Sequence, residues 1–394
     1  MKTFAIVVVC YNRLAGLKRL LQSLLAADYT GRRDIDLVFS IDNSGTSVIS
    51  DYANEFYWPY GQKKIRTFPT RQGLKNHILQ CGDLTSQYDI ISVFEDDVVV
   101  SNSFFAYAYS AANYYWSDDN IAGISLYGFQ KNWLSWTFRF EPYRTGFDSY
   151  FMKIAQSWGQ VWTKPKWEKF KEWYNNNSNF TKSDDIPAYL NEWPESSWLK
   201  YHDRYCIETN RYFVYPYVSL STNCSDAGTH ANSTTNDHQV ELQFDKTYYS
   251  FPDFGEGAIK YDEYMNPEGL AFYLGVPDTE LTIDFYGTKN KKSYRRYLLT
   301  CLCFDYKIVD KFSLSLRPLE ASVILKLHGD GIYLYDTSIN EKNKSQCDSL
   351  YQLQLYSLRT HDWRVMLPLS VKMTIHELKN SVARKIKKCI KIKK

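Results

Sequence analysis

Three consecutive acids, Glu95, Asp96 and Asp97, interrupt an otherwise apolar run between Ile90 and Val100. Ionised carboxylates in a strand-like segment are costly unless a cation satisfies them. A divalent metal, Mn2+ or Mg2+, would do so while taking one or two protein carboxylates and completing its shell with water and substrate phosphates. The triplet therefore points to a metal-phosphate site at a strand end.

The flanking elements decide what else reaches such a site. Residues 4–10 form a continuous β-branched run, and Leu14, Leu17, Leu20, Leu21, Leu24 and Leu25 repeat at helical spacing, which predicts strand then helix. Short strands follow over 36–41 and 64–68, a helix over 73–81, a strand over 90–94 and a helix near 103–116. This alternation predicts a mostly parallel sheet covered on both faces. Ligands of such sheets bind beyond the carboxyl ends of the strands. Tyr11, Asn12 and Arg13 follow the first strand, Asp42 and Asn43 the second, and the acidic triplet the fourth, so all fall at one rim. An arginine and several acids there suit a nucleotide diphosphate held through a metal.

From about 123 to 159 the pattern weakens into a stretch rich in Trp, Phe, Tyr, Gly and Ser, including Trp133, Phe147 and Trp158. Such a stretch lines a cleft or fills a core, and the sequence leaves both open. Residues 164–174 read as a helix opened by Pro165, 175–185 as a polar loop, and Pro194 to Ser197 as the start of a helix running to about Thr209. Strands are expected over 212–215 and 218–220, then a Gly/Asn/Ser-rich loop over 223–237 that contains His230. Beyond about Gly275 come short β-like runs over 281–286, 297–303, 322–327 and 332–335. The expected organisation is a main domain over 1–275, a β-rich extension over 276–370 and a basic tail over 371–394. In the tail, Ile375, Leu378, Val382, Ile386 and Ile390 recur every three or four residues among lysines. A basic amphipathic helix of this kind lies in a membrane surface, each Lys or Arg near anionic lipid contributing about 1 kcal/mol.

A net charge of +3 over 394 residues argues for no nucleic-acid partner, although Arg384 to Lys394 holds seven cations and no acid. The eight cysteines form no C-x-x-C pair and no His cluster stands at zinc spacing, so they read as reduced thiols of a cytosolic protein. The first apolar run is shorter than a membrane span and leads into Tyr-Asn-Arg, so it is expected to be a core strand and not a signal peptide.

With these residues assembled, the chain resembles the GT-A-type nucleotide-sugar glycosyltransferases, most closely the bacterial family-two-like enzymes of surface polysaccharide assembly. The resemblance is carried in order by residues 6–13 (IVVVCYNR), 41–45 (IDNSG), 71–76 (RQGLKN) and 94–97 (FEDD), and it covers about the first 240 residues. It extends to the Golgi N-acetylglucosaminyltransferase that begins complex N-glycans, through the Glu-Asp-Asp motif and the Phe104-Phe105 pair that follows. It implies an α/β fold of GT-A type, a Rossmann-like, mostly parallel sheet flanked by helices, with a smaller β-containing C-terminal extension and a basic C-terminal helix.

The resemblance also implies roles. Asp97 would bind the metal, Asp96 would lie by the donor ribose or diphosphate, and Asp42 and Arg13 would hold the nucleotide. Tyr11, Asn12, Arg71, Lys75 and Glu95 would complete the donor site, and His230 would sit in a loop closing over the diphosphate. The donor would be a nucleotide sugar, a UDP-sugar foremost, and the acceptor a glycan or lipid-linked sugar at the inner face of the cell membrane. The catalytic carboxylate of inverting relatives is expected near Trp198, where this chain has Leu199. On the predicted helix Glu195, Leu199 and Asp203 share a face, so Asp203, or else Glu195, could present the base from one turn away. Asp148 and Asp226 are further alternatives. Without that carboxylate the chain could also be an inactive, sugar-binding or scaffolding relative. A nucleotidyl- or phosphoryl-transferring enzyme is disfavoured by the lack of a Gly-rich phosphate loop.

Overall fold

The computed structural model describes residues 1–134, 138–184, 186–224, 238–255, 257–343, 349–358 and 362–392, with side chains in the last helix as far as Lys379 apart from Glu377. The first strand, β1 (Phe4–Cys10), is buried along its whole length. Its alternating side chains divide between two cores. Phe4, Ile6, Val8 and Cys10 pack with Leu17, Leu20, Leu21 and Leu24 of α1 (Leu14–Leu25), whereas Ala5, Val7 and Val9 enter the core on the opposite face. A strand covered on both faces has no polar side, which is why its sequence is unbroken hydrophobe.

Next come β2 (Ile35–Ile41), α2 (Val48–Glu55), β3 (Lys63–Thr67), α3 (Leu74–Gly82) and β4 (Ile90–Glu95). Parallel pairing of β1 with β2 and β4, and of β2 with β3, puts the carboxyl ends of these strands on one rim. After β4 the chain turns through Asp96 and Asp97 into β5 (Val98–Val100) and α4 (Phe104–Tyr114). Phe104 and Phe105 serve the core, Phe104 against Phe94 at 5.6 Å and Phe105 against Phe4 at 5.1 Å between ring centres.

The sheet continues through β6 (Ile121–Ser125), β7 (Ser149–Met152), β8 (Gln160–Thr163), β9 (Tyr212–Pro216) and β11 (Lys260–Tyr261), while β10 (Ser221–Asn223) pairs separately with β5. Its nine strands run in the order β11-β7-β9-β6-β8-β4-β1-β2-β3. Pairings β6–β9 and β7–β11 are also parallel, and only those of β4 and β6 with β8, and of β7 with β9, are antiparallel. This is the mixed, mostly parallel α/β sheet that the sequence pattern requires. Helices α5 (Lys164–Asn176), α6 (Ala188–Glu192) and α7 (Trp198–Glu208) lie between β8 and β9.

Several local expectations need correction. The helix expected from Pro194 begins at Trp198, because Ser197 caps it by accepting from the Lys200 N–H. Glu195 therefore precedes the helix and does not share its face. The strand expected over 218–220 lies at β10, where β5 offers a partner. Residues 322–327, expected as strand, belong instead to helix α9 (Leu319–Ile324) and the turn after it, opened by Pro318 and Glu320. A short apolar run has no periodicity of its own to tell strand from helix. The reverse error concerns β14 (Tyr306–Ser313), a strand that the apolar runs do not mark because it is an edge whose outward residues include Lys307 and Lys311.

The second sheet, ordered β12-β13-β15-β14, is formed by β12 (Leu281–Ile283), β13 (Tyr297–Thr300), β14 and β15 (Gly331–Asn340), with α8 (Ala271–Leu274) leading into it. It is fastened to the larger one. Phe138 enters its core beside Leu299, Ile332 and Leu334, and the Tyr261 hydroxyl of β11 donates to the buried Glu320 carboxylate. The chain ends in α10 (Ser349–Leu358) and α11 (Trp363–Ile392). Along α11 the apolar residues Trp363, Val365, Leu367, Leu369, Val371, Met373, Ile375 and Leu378 are all exposed. Among the described residues, no helix is long and apolar enough to cross a membrane.

Candidate active site at the strand-end rim

The rim is built from the loops that follow β1, β2 and β4. Asp42, just past β2, is buried, and its backbone N–H donates to the Cys10 carbonyl at 2.9 Å, tying the ends of β1 and β2 together. Its carboxylate accepts three backbone N–H groups, from Asn43 (2.8 Å), Gln72 (2.7 Å) and Gly73 (3.0 Å). Gly73 adopts φ +73° there, a conformation in which a β-carbon is strained, and α3 starts immediately after it. Asp42 thus anchors the loop that carries Arg71 and Lys75 to the rim. Arg71 stacks over the Tyr11 ring at 4.9 Å, and Lys75 over the Tyr201 ring of α7 at 4.8 Å. Beneath the loop, His77 pairs with Ser40 at 2.7 Å, and burial lowers its pKa to about 4, so the imidazole stays neutral.

Arg13 is the cation that the acidic triplet demands. Its guanidinium bridges Asp96 and Asp97, meeting the Asp97 carboxylate at 3.1 Å. Burial pushes the Asp96 carboxyl up to about 6, while Arg13 holds it back. Burial and the charges of Asp97 and Asp96 raise Glu95 in turn, while the neighbouring Trp198 side chain, at the start of α7, opposes the rise. Roughly a hundred residues separate Trp198 from Glu95, so no local signal could have paired them.

Asn12 is exposed at the same rim. Cys224 leaves β10 with its N–H donating to the Asp97 carbonyl at 2.9 Å. His230 and Asp226 lie outside the described residues. Asp148 is engaged away from the rim, paired with Lys246 at 2.5 Å and accepting from the Ser250 N–H at 2.8 Å.

Next to Trp198, α7 also forms one wall of a cleft of about 280 Å³, open solvent included, lined by Trp133, Trp158, Tyr189, Trp193, Leu199 and Asp203 among others. Leu199 and Asp203 do share a face, as their spacing predicts. Asp203 is buried at the cleft floor, where its carboxyl accepts from the Ala155 N–H at 2.6 Å and the Tyr189 hydroxyl at 3.0 Å. Among the described residues no cation faces it closely enough to offset desolvation, which raises its pKa to about 8. Glu195 is exposed ahead of the Ser197 cap.

Among the described residues, no three His, Cys, Asp or Glu side chains stand together as a ready metal cage. The half-buried Asp97 carboxylate at the rim fits a different arrangement, in which a metal takes one protein carboxylate and draws its remaining oxygens from water and phosphate.

Residues 2–127 match the family described as Glycosyltransferase like family 2. The matched stretch contains every described rim residue that precedes α4 and ends before α7 and the cleft. No curated protein matches the chain. Among solved structures the chain is similar to S. aureus TarS 1-349, at 13% identity over 56% of this chain and 60% of that one, with a TM-score of 0.37. It is also similar to the mannosyltransferase PcManGT from Pyrobaculum calidifontis in complex with GDP-Man and Mn2+, at 12% identity over 55% of each chain and a TM-score of 0.33. GalNAc-T7 with UDP, GalNAc and Mn2+ is similar at 10% identity over 55% of this chain and 42% of that one, with a TM-score of 0.36. The chain therefore spans less than two thirds of each of these structures. None of these matches brings out the finer resemblance to the Golgi N-acetylglucosaminyltransferase.

Proposed function

We propose that this chain is a metal-dependent, inverting glycosyltransferase of hexosyltransferase type that moves a sugar from a nucleotide-sugar donor, a UDP-sugar foremost, to a glycan or lipid-linked acceptor in surface polysaccharide biosynthesis. The observation that carries the reading is the convergence of Arg13, Asp42, Arg71, Lys75 and the Glu95–Asp97 acids on one strand-end rim, inside the stretch that matches the glycosyltransferase family. Asp97 would hold Mn2+ or Mg2+, which when bound neutralises charge on the departing nucleoside diphosphate. Arg71 and Lys75 supply positive charge for its phosphates, and Asp42 keeps their loop in place. Arg13 keeps Asp96 and Asp97 oriented.

A general base must be ionised and within reach of the acceptor hydroxyl. Burial raises Asp203 to about 8, which disfavours it as an ionised base at neutral pH and leaves Glu195, exposed just ahead of α7, as the leading candidate. The exposed apolar residues of α11 and the cations of 384–394 support a peripheral location at the inner membrane surface.

The test is release of nucleoside diphosphate from a panel of nucleotide sugars with Mn2+ or Mg2+, with and without a membrane lipid extract. Asp97→Ala is expected to abolish turnover and Glu195→Gln to lower it about 100-fold while sparing donor affinity. Asp97→Ala behaving like the wild type would overturn the enzyme reading. Removal of 363–394 is expected to release the protein from anionic vesicles and to leave the melting temperature of the remainder unchanged; retained vesicle binding contradicts the membrane role.

A further inference from the structure

We infer that Arg13 is a displaceable internal cation: one arm of its guanidinium covers Asp97 and yields it to a divalent ion, and the freed arm then serves the donor diphosphate. Metal and nucleotide therefore bind cooperatively. The inference deepens the glycosyltransferase reading and rests on it for the identity of both ligands.

Three observations carry it. First, Arg13 differs from the other cations of the rim. Arg71 and Lys75 rest on the Tyr11 and Tyr201 rings, at 4.9 and 4.8 Å, and among the described residues neither is held in an ion pair that a phosphate must break. Arg13 instead divides its charge between two carboxylates, with Nη2 on Asp96 and Nη1 on Asp97.

Second, the two arms are unequal. The Asp96 side chain is 5% exposed and that of Asp97 16%, so withdrawing Nη2 strands a buried charge, whereas Asp97 can pass to another cation. Any cation held by Asp97 is a neighbour of Nη1, which lies 3.1 Å from the same carboxylate, and like charges at such range repel. The Nη1 arm is the one that yields.

Third, the exchange needs only a side-chain rotation. The Arg13 carbonyl accepts from the Leu17 N–H at 3.0 Å, which fixes its backbone at the start of α1, and the Asp97 carbonyl accepts from the Cys224 N–H at 2.9 Å, which fixes the turn after β4. The Arg13 side chain is 27% exposed, so its guanidinium can turn while both backbones stay. A diphosphate offers the loosened N–H groups a charge-assisted partner in place of Asp97. Each ligand thus eases the binding of the other, and the coupling is reciprocal.

Mn2+ binding to the full chain is followed by electron paramagnetic resonance, with and without UDP. Arg13→Met alone leaves the Asp96 charge unpartnered, so the decisive variant is Arg13→Met with Asp96→Asn, which removes one charge of each sign, keeps the net charge of the rim and frees Asp97. Without nucleotide it is expected to bind Mn2+ about tenfold more tightly than the wild type, the factor lost by a carboxylate that is available about a tenth of the time. Adding Asp97→Ala to it is expected to abolish that gain. UDP is expected to raise the Mn2+ affinity of the wild type about tenfold more than that of the double variant. Equal Mn2+ affinity of wild type and double variant without nucleotide, a gain that survives Asp97→Ala, or equal enhancement by UDP overturns the Arg13 inference. Failure of the wild type to bind UDP with Mn2+, while the double variant gains Mn2+ affinity through Asp97, overturns the donor reading and keeps the exchange at Asp97.

Discussion

At the rim, Asp96 is a buried carboxylate facing a guanidinium; in the cleft, Asp203 is a buried carboxylate facing one backbone N–H and one phenol. Burial raises both, but with Arg13 present Asp96 reaches only about 6 and stays ionised at neutral pH, whereas Asp203 reaches about 8 and keeps its proton. The nature of the partner, and not depth alone, decides whether a buried acid can serve as a charge. Uncharged donors stabilise an anion less than a cation at contact distance does. The rim thus keeps its buried acid charged, whereas the cleft keeps its acid neutral.

The contrast can be broken most severely at Asp203. Its folded-state pKa stands above the ordinary 3.8, so the native state binds the extra proton and stability falls as pH rises from about 4 toward 8. The slope has a ceiling of about 1.4 kcal/mol per pH unit, or ~4 kcal/mol between pH 5 and 8. Asp203→Asn, measured by urea unfolding across that range, is expected to lose this dependence. A slope equal to that of the wild type would show that Asp203 is ionised after all and that the two regions do not differ.

Arg13→Met tests the other side of the comparison. It leaves the Asp96 charge buried without its partner, an imbalance of about 3–5 kcal/mol for fully buried pairs. Because Arg13 is partly exposed, about 3 kcal/mol is expected at pH 7, with most of it restored by adding Asp96→Asn. A loss below about 1 kcal/mol, or no rescue, would mean that the ion pair does not hold the rim.

A smaller effect sharpens the role of Asp42. Asp42→Ala strands the N–H groups of Asn43, Gln72 and Gly73, which water can partly reach, and about 2 kcal/mol is expected. Amide exchange should accelerate at Gln72 and Gly73 and spare the cleft. Uniform acceleration would point to general destabilisation instead of a local anchor.

The sequence was most legible where one residue's environment repeats along an element. β1 and α1 stand where the apolar run and leucine spacing place them, because burial on two faces or one stripe writes its period directly into the chain. It was least legible where a short run carries no period, as in α9, or where solvent-facing charges disguise an edge, as in β14. Glu195 and Asp203 were grouped on one helical face by spacing alone, and a single serine cap at Ser197 separated them.

By itself the sequence determined the parallel strands, and with them the shared rim of Arg13, Asp42 and Glu95–Asp97, since parallel strands deliver their carboxyl ends to one edge. Tertiary structure alone decided the pairings across it. That Arg13 closes on Asp96 and Asp97, that Trp198 reaches Glu95, and that Asp203 is enclosed with Tyr189 each depend on side chains far apart in the chain. Charge state follows from such contacts and from desolvation, and neither exists until the chain has folded.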